Sequence, residues 1–168
     1  PFQFPELMDA SQRMMALGFE AEEVLPVLRA VGNAAAALGK GTAGINRIIL
    51  ALGQMRAKGK VSAEEMRQLT EAGIPAWEIL AEAIGRSTQE VMKLAEKGLI
   101  PADEAVRVLV AGMERRFPGM MDRLADTFEG VTSTIRDNLQ MLLRDLTAGL
   151  FERLTGALRR VRDWTGEL

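Results

Sequence analysis

The stretch KGKVSAEEMRQLTEAGIPAWEIL, Lys58–Leu80, decides how this chain folds. It reads as the end of one helix, a short second helix and the start of a third. Gly59 stops the first, because glycine enters the left-handed region at a helix C-terminus without a Cβ penalty. Val61 is an apolar residue placed just ahead of the next cap. Ser62 takes the N-cap position, and Glu65, three residues on, is spaced to complete a capping box. Gly73 stops the second helix. Pro75 starts the third, where its missing N–H costs nothing. The stretch is helix punctuation, with no side chain suited to a reactive centre.

The same grammar recurs along the chain. Gly18-Phe19-Glu20, Gly59-Lys60-Val61-Ser62, Gly73-Ile74-Pro75 and Gly98-Leu99-Ile100-Pro101 each pair a stop glycine with an apolar residue and a helix starter, followed by alanine and an acid. These are four uses of one helix–turn–helix joint. Their irregular spacing excludes a strict solenoid repeat.

Outward from the joints, every segment has the helical period. Upstream, helices are expected over Pro5–Leu17, over Glu20–Leu38 with Pro26 marking its true start or a kink, and over Gly44–Lys58. The last carries Ile45, Ile48, Ile49, Leu52 and Met55 on one face. Gly39-Lys40-Gly41-Thr42 reads as a loop. Downstream, Ser62–Ala72, Pro75–Ile84, Ser87–Lys97 (with Ser87 and Glu90 as another capping box) and Pro101–Arg116 follow, before Pro118-Gly119 breaks the chain.

The terminal region changes character. Thr132–Trp164 contains no proline, and Leu139, Leu142, Leu143, Leu146, Leu150, Leu154, Leu158, Val161 and Trp164 recur at three- and four-residue steps between arginines and acids. That pattern predicts a long amphipathic helix spanning about 45–50 Å. A stripe of this kind packs on a partner helix or on a copy of itself. The expected self-association seam is Leu139, Leu143, Leu146, Leu150, Leu154 and Leu158. The fold class is therefore all-α, an irregular bundle of short helices over residues 1–118, then a helical extension over 119–168, coiled-coil or partner-packing.

Composition narrows function by exclusion. The 168 residues carry a formal net charge of −2, which gives no global electrostatic case for nucleic acid. Histidine, cysteine and tyrosine are absent. With them go the commonest metal ligand, the commonest neutral-pH general base and thiolate chemistry. No apolar run reaches the ~20 residues of a bilayer span, and the start does not have the pattern of a signal peptide. Pro1, in place of methionine, reads as the start of an excised or processed piece.

The remaining candidates reduce to structure. Gly39-Lys40-Gly41-Thr42 lacks the Walker spacing, since Gly41 and not Ser or Thr follows the lysine. Glu64, Glu65, Glu71 and Glu78 are read as caps and solvated ion pairs rather than a catalytic pair. The methionines, among them Met14, Met15, Met55, Met66, Met92, Met113, Met120, Met121 and Met141, are spread along many helices, which is how gap-filling core residues are distributed. Trp77, beside the Pro75 helix start, reads as a core plug. Arg159, Arg160, Arg162 and Trp164 could lie on a membrane surface, as a minor alternative to a solvated face. No catalytic, cofactor or metal-binding residue is expected.

The punctuated stretch also carries a family resemblance. GKVSAEEMRQLTEAGIPAWEILAEAIG resembles a segment of tape measure proteins of long-tailed bacteriophages and prophages. Residues 16–39, 50–59, 97–105 and 112–117 resemble the same family, so the likeness runs over residues 8–140 or so. It implies a structural segment that occupies the lumen of a growing tail, contributes to tail assembly and tail length, and is not an enzyme. Its implied partners are other tail proteins: tube, baseplate or tip, and assembly chaperones. Association with copies of itself through the C-terminal helix is expected beside them. Its implied places are the virion tail and, during assembly, the host cytoplasm. The alternative reading is a membrane-interacting or infection-stage module of the same protein that aids genome ejection. The structural joints Gly59, Ser62, Gly73, Pro75, Trp77, Gly98 and Pro101 are the residues on which the fold should depend.

Overall fold

The computed structural model describes residues 4–127 and, beyond them, 131, 132, 135, 137–139 and 141. In chain order the elements are α1 (Phe4–Ala16), α2 (Ala21–Ala37), α3 (Gly41–Lys58), α4 (Ala63–Glu71), α5 (Ala76–Ile84), α6 (Thr88–Glu96) and α7 (Ala102–Arg116). Residues 120–127 are helical again, as are the described positions after them. The architecture is all-α. Among the described residues, β-type pairing is confined to an isolated antiparallel bridge between Lys60 and Pro101.

Several helix boundaries differ from the sequence expectation, each for a local reason. The N-terminus of α2 is not at Pro26: Glu20 is its N-cap, the Glu20 N–H donates to Glu23 Oε2 at 2.9 Å, and Pro26 lies inside a continuous helix. Burial of Val27, Leu28, Ala30 and Val31 just after the proline outweighs the one backbone bond it removes. Residues 39–42 are not a four-residue loop. The Lys40 N–H reaches Ala35 O and the Gly39 N–H reaches Ala36 O, which closes α2 as a Schellman motif. The Gly44 N–H then bonds Lys40 O, so α3 starts at Gly41, three residues earlier than its apolar stripe suggests. Pro75 and Pro101 are N-caps rather than first helical residues.

The core is built around α3, which touches α1, α2, α4 and α7. Its stripe Ile45, Ile48, Ile49, Leu52 and Met55 is buried, with Met14, Val31, Met66, Leu69, Ile79, Leu109 and Met113 around it. The methionines divide. Met14, Met55, Met66 and Met113 are core, whereas Met8, Met15, Met92 and Met141 are exposed, so gap-filling accounts for part of the set only. Trp77 packs against the core but is half-buried, a lid on it rather than a plug in it.

The chain divides into two units, Pro1–Ala125 and Asp126–Leu168. In the second, Val131, Ile135 and Leu139 are helical and exposed. Leu142, Leu143, Leu146, Leu150, Leu154, Leu158, Val161 and Trp164 lie outside the described residues, and with them most of the predicted long helix and its seam.

Candidate functional site

Three of the four sequence joints meet at one end of the first unit. The α1–α2 joint at Gly18, the α3–α4 joint at Gly59 and the α6–α7 joint at Gly98 are adjacent in space. Backbone bonds tie the last two together: Val61 N–H to Ile100 O at 3.0 Å, and Ala102 N–H to Gly59 O at 3.2 Å. The Lys60 methylenes cover Gly98, with Cδ at 3.2 Å from where a Cβ would stand. Gly18, Gly73 and Gly98 are Schellman closures of one form, in which the residue after the glycine bonds the carbonyl five places back. Gly59 differs. It is left-handed and its N–H bonds Arg56 O, but the chain after it leaves to pair with Pro101.

Arg56, in the last turn of α3, fastens the first joint to this pair. Its Nη1 donates to Glu23 Oε2 at 2.6 Å and its Nη2 to Glu23 Oε1 at 2.9 Å, so the guanidinium grips the first turn of α2 with two parallel bonds. Its Nε donates to Asp103 in the first turn of α7 at 3.0 Å, and Nη1 also reaches Gly18 O at 3.3 Å. The Phe19 ring lies beneath it, 4.6 Å from the guanidinium carbon, at cation–π distance. The hydrogen bonds from Arg56 hold the Glu23 carboxyl below the usual carboxylate range, against the burial that raises it. The same bond to Glu23, with that to Asp103, raises Arg56 further.

A second ionic contact fixes the start of α4. Glu65 is buried, and Lys58 Nζ donates to its Oε1 at 2.6 Å and to the exposed Glu64 at 2.9 Å. The expected capping box is not formed at Ser62. Ser62 sits at the N-cap, but its hydroxyl donates to the Glu65 carboxylate instead of accepting from the backbone. The reason is burial: a carboxylate inside the joint recruits both nearby donors. Burial raises the Glu65 carboxyl, but the bonds from Lys58 and Ser62 outweigh it and leave the group low. At Ser87 the box does form, with Ser87 N–H to Glu90 at 3.0 Å and Glu90 N–H to Ser87 Oγ at 3.3 Å. The Ser87 backbone and hydroxyl bonds lower Glu90 in turn.

Of the residues singled out in the sequence, Gly59, Ser62, Gly98 and Pro101 therefore stand together. Gly73, Pro75 and Trp77 do not join them. Gly73 faces Leu38, at the end where α2 closes. Of the residues that complete the site, Phe19, Glu23 and Asp103 lie in or just after the joints read from sequence, but nothing there brings them to Arg56; the available signal is a base one turn before a stop glycine. Chemically the arrangement is a lock, because its acids are bound to its bases. Glu64 and Glu71 are solvated ion-pair partners, the latter of Arg67 at 2.8 Å and of Arg47. Among the described residues, no group of three or more acids could hold a metal ion. No described helix is long and apolar enough to cross a membrane.

Away from this end, Asn33 is buried in α2, and its Oδ1 accepts the Met121 N–H at 3.0 Å. It supplies, from another helix, the cap that the helix starting at residue 120 does not supply for itself. The Met121 thioether fills the space above Gly32.

The family model for tape measure protein matches residues 1–148. The chain is 27% identical over 170 residues to the Mu-like prophage FluMu protein gp42 of Haemophilus influenzae (strain ATCC 51907 / DSM 11121 / KW20 / Rd), covering 99% of this chain and 26% of that protein. It is 24% identical over 116 residues to the probable tape measure protein of Escherichia phage Mu, covering 68% of this chain and 17% of that protein. No solved structure matches it. The chain thus spans about a quarter or less of the relatives it resembles. With a family match running through the whole helical bundle and into the extension, the chain belongs to the tape measure protein family.

Proposed function

We propose that this chain is a structural segment of a phage tail tape measure protein, with a folded anchor followed by the start of a rod. The observation that carries the anchor assignment is the closure of the first unit by Arg56, which pins helix termini from α2, α3 and α7 to one point. A ruler converts chain length to tube length and needs an extended chain. A bundle locked at its joints is suited instead to docking on another tail component. Its partners in this reading are tube, baseplate or tip proteins, or assembly chaperones. It acts in the host cytoplasm during assembly and in the virion tail thereafter.

The extension over residues 119–168 is the part suited to the rod. Val131, Ile135 and Leu139 repeat at four-residue steps and are exposed, which leaves an apolar face for self-association through the seam that continues to Leu158. The test is an in-frame duplication of residues 132–162 in a phage encoding the full-length protein, with tail length read by electron microscopy. Tails longer by about 45 Å, the helical rise of the insert, support a ruler role for the extension. Intact tails of unchanged length remove it and assign the piece to anchoring or to an infection-stage role.

A further inference from the structure

The outer face of the first unit carries a charge pattern that forms no salt bridge among the described residues. Helices α2 and α7 lie side by side and run the same way, since Arg56 binds the first turn of each. Between them is an open groove of about 640 Å³. Its apolar lining includes Pro26, Val27, Val106 and Val110, and Leu25 on its edge is 69% exposed, the most exposed large apolar residue among those described.

Four charges frame this groove. Glu22 and Arg29 stand on α2, and Arg107 and Glu114 on α7. Each pair is seven residues apart, two helical turns or about 10.5 Å. The signs run in opposite order: acid then base along α2, base then acid along α7. None of the four joins a salt bridge among the described residues, and Arg107 acts on Glu23 only through its field.

A pattern of this form is complementary to itself. Turning the face over about a two-fold axis that crosses the groove brings acid to base on both helices at once. An isologous contact requires this property of a single surface. The apolar residues Leu25 and Pro26 fall midway between Glu22 and Arg29, and Val110 and Ala111 midway between Arg107 and Glu114, so the axis passes through the apolar centre.

We propose that this face binds a second copy of the chain as a two-fold dimer. Glu22 of each copy meets Arg29 of the other, Arg107 meets Glu114, and Leu25 packs against its own counterpart on the axis. The contact is separate from the C-terminal seam, and neither requires the other.

Because the chain has no cysteine, the dimer can be tested by introducing one. In the 168-residue chain, Leu25→Cys should form a covalent dimer under mild oxidation, whereas Leu99→Cys, 62% exposed but off the face, should not. Sedimentation equilibrium should show Glu22→Arg weakening the dimer by roughly tenfold, through like charges set opposite one another. Arg29→Glu should do the same, and the double exchange should restore the dimer. Cross-linking of Leu25→Cys no greater than that of Leu99→Cys would overturn the proposal. So would charge reversals that leave the dissociation constant unchanged. The cross-link should also persist when Leu139, Leu146 and Leu150 are changed to aspartate; its loss there would transfer self-association to the tail seam and remove this interface.

Discussion

Arg56 and Glu23, thirty-three residues apart in sequence, form a two-pronged ion pair that closes one end of the helical bundle. The Arg56 side chain is only 15% exposed and also holds Asp103 and the Gly18 carbonyl, so its removal leaves the partly buried Glu23 carboxylate without its partner and unfastens three elements. A partly buried network of this kind costs more to break than a surface pair, for which a kilocalorie is the upper range. Arg56→Ala should destabilise the chain by about 2 kcal/mol in urea unfolding. Arg56→Lys should recover little of this, because one ammonium cannot reproduce the planar fork that spans both Glu23 oxygens.

The acid side of the stability profile should report the two joints separately. Glu23 is held low chiefly by the Arg56 hydrogen bonds, and Glu65 is held low by Lys58 and Ser62 against the burial that raises it. A carboxyl lower in the folded than in the unfolded chain stabilises above the unfolded value, about 4.3. That stabilisation is lost as pH falls through the folded value. Glu23→Gln should therefore be less stable than the parent at pH 7, with the difference closing below about pH 4. Lys58→Met should act in the same sense at the other joint. Without the Lys58 bond less opposes the burial of Glu65 and the group rises, so this variant should also lose stability relative to the parent as pH rises through the carboxylate range. Denaturant titrations at several pH values read both, and parallel profiles for all three chains would refute the assignment.

Two helix glycines offer a matched test of packing. Alanine at either position gains about 1 kcal/mol of helix propensity. At Gly112 the added Cβ overlaps Ile79, which is fully buried and fixed between α5 and α7. Overpacking of that kind costs about 1–3 kcal/mol, so Gly112→Ala should be net destabilising. At Gly53 the Cβ meets Leu17 Cδ1 at 2.5 Å and Leu17 Cβ at 2.7 Å. The Leu17 Cβ is fixed to a backbone that bonds Arg13 O and Met14 O, so a turn of the side chain does not relieve the overlap. Gly53→Ala should be net destabilising as well, because the end of α1 must shift. Thermal unfolding of the two variants side by side decides the point, with both expected to melt several degrees below the parent.

What the sequence disclosed about this fold follows from the range of the forces involved. Helix stops are local, so Gly18, Gly59, Gly73 and Gly98 can be read from the residues around them, and all four adopt left-handed φ. The α3 stripe is legible for the same reason, since a single face of one helix shows in its own periodicity. The start of α3 was not legible. Gly41 and Thr42 carry no apolar signal, and only the closure of α2 onto Lys40 places them in the helix. The Ser62 cap failed as a reading because burial of Glu65 is a tertiary property. The site was least legible of all: Arg56 meets Glu23 and Asp103 only because three joints converge, and no spacing in one sequence encodes that convergence.

A further long-range contact, Asn33 to Met121, leads to a prediction about the start of the helical segment over residues 120–127. The Met121 N–H belongs to the first turn of a helix, where backbone donors have no partner in their own helix. Pro118 and Gly119 just before it provide no side chain able to cap that turn. Asn33 Oδ1 supplies the acceptor at 3.0 Å from within the core face of α2. Asn33→Ala should therefore cost about 1–2 kcal/mol, the usual worth of a lost N-cap together with a small void. Its signature should be local: amide exchange at Met121 should accelerate by roughly tenfold, with the α3 amides of Ile48 and Ile49 slowed or quickened only by the change in global stability. Gly32→Ala should disturb the same point more mildly. Its Cβ would meet the Met121 sulfur at 2.5 Å, the far end of a flexible side chain that can move aside while the backbone bond to Asn33 stays in place. If Asn33→Ala left Met121 exchange unchanged relative to Ile48, the capping role would be wrong, and Asn33 would owe its burial to packing alone.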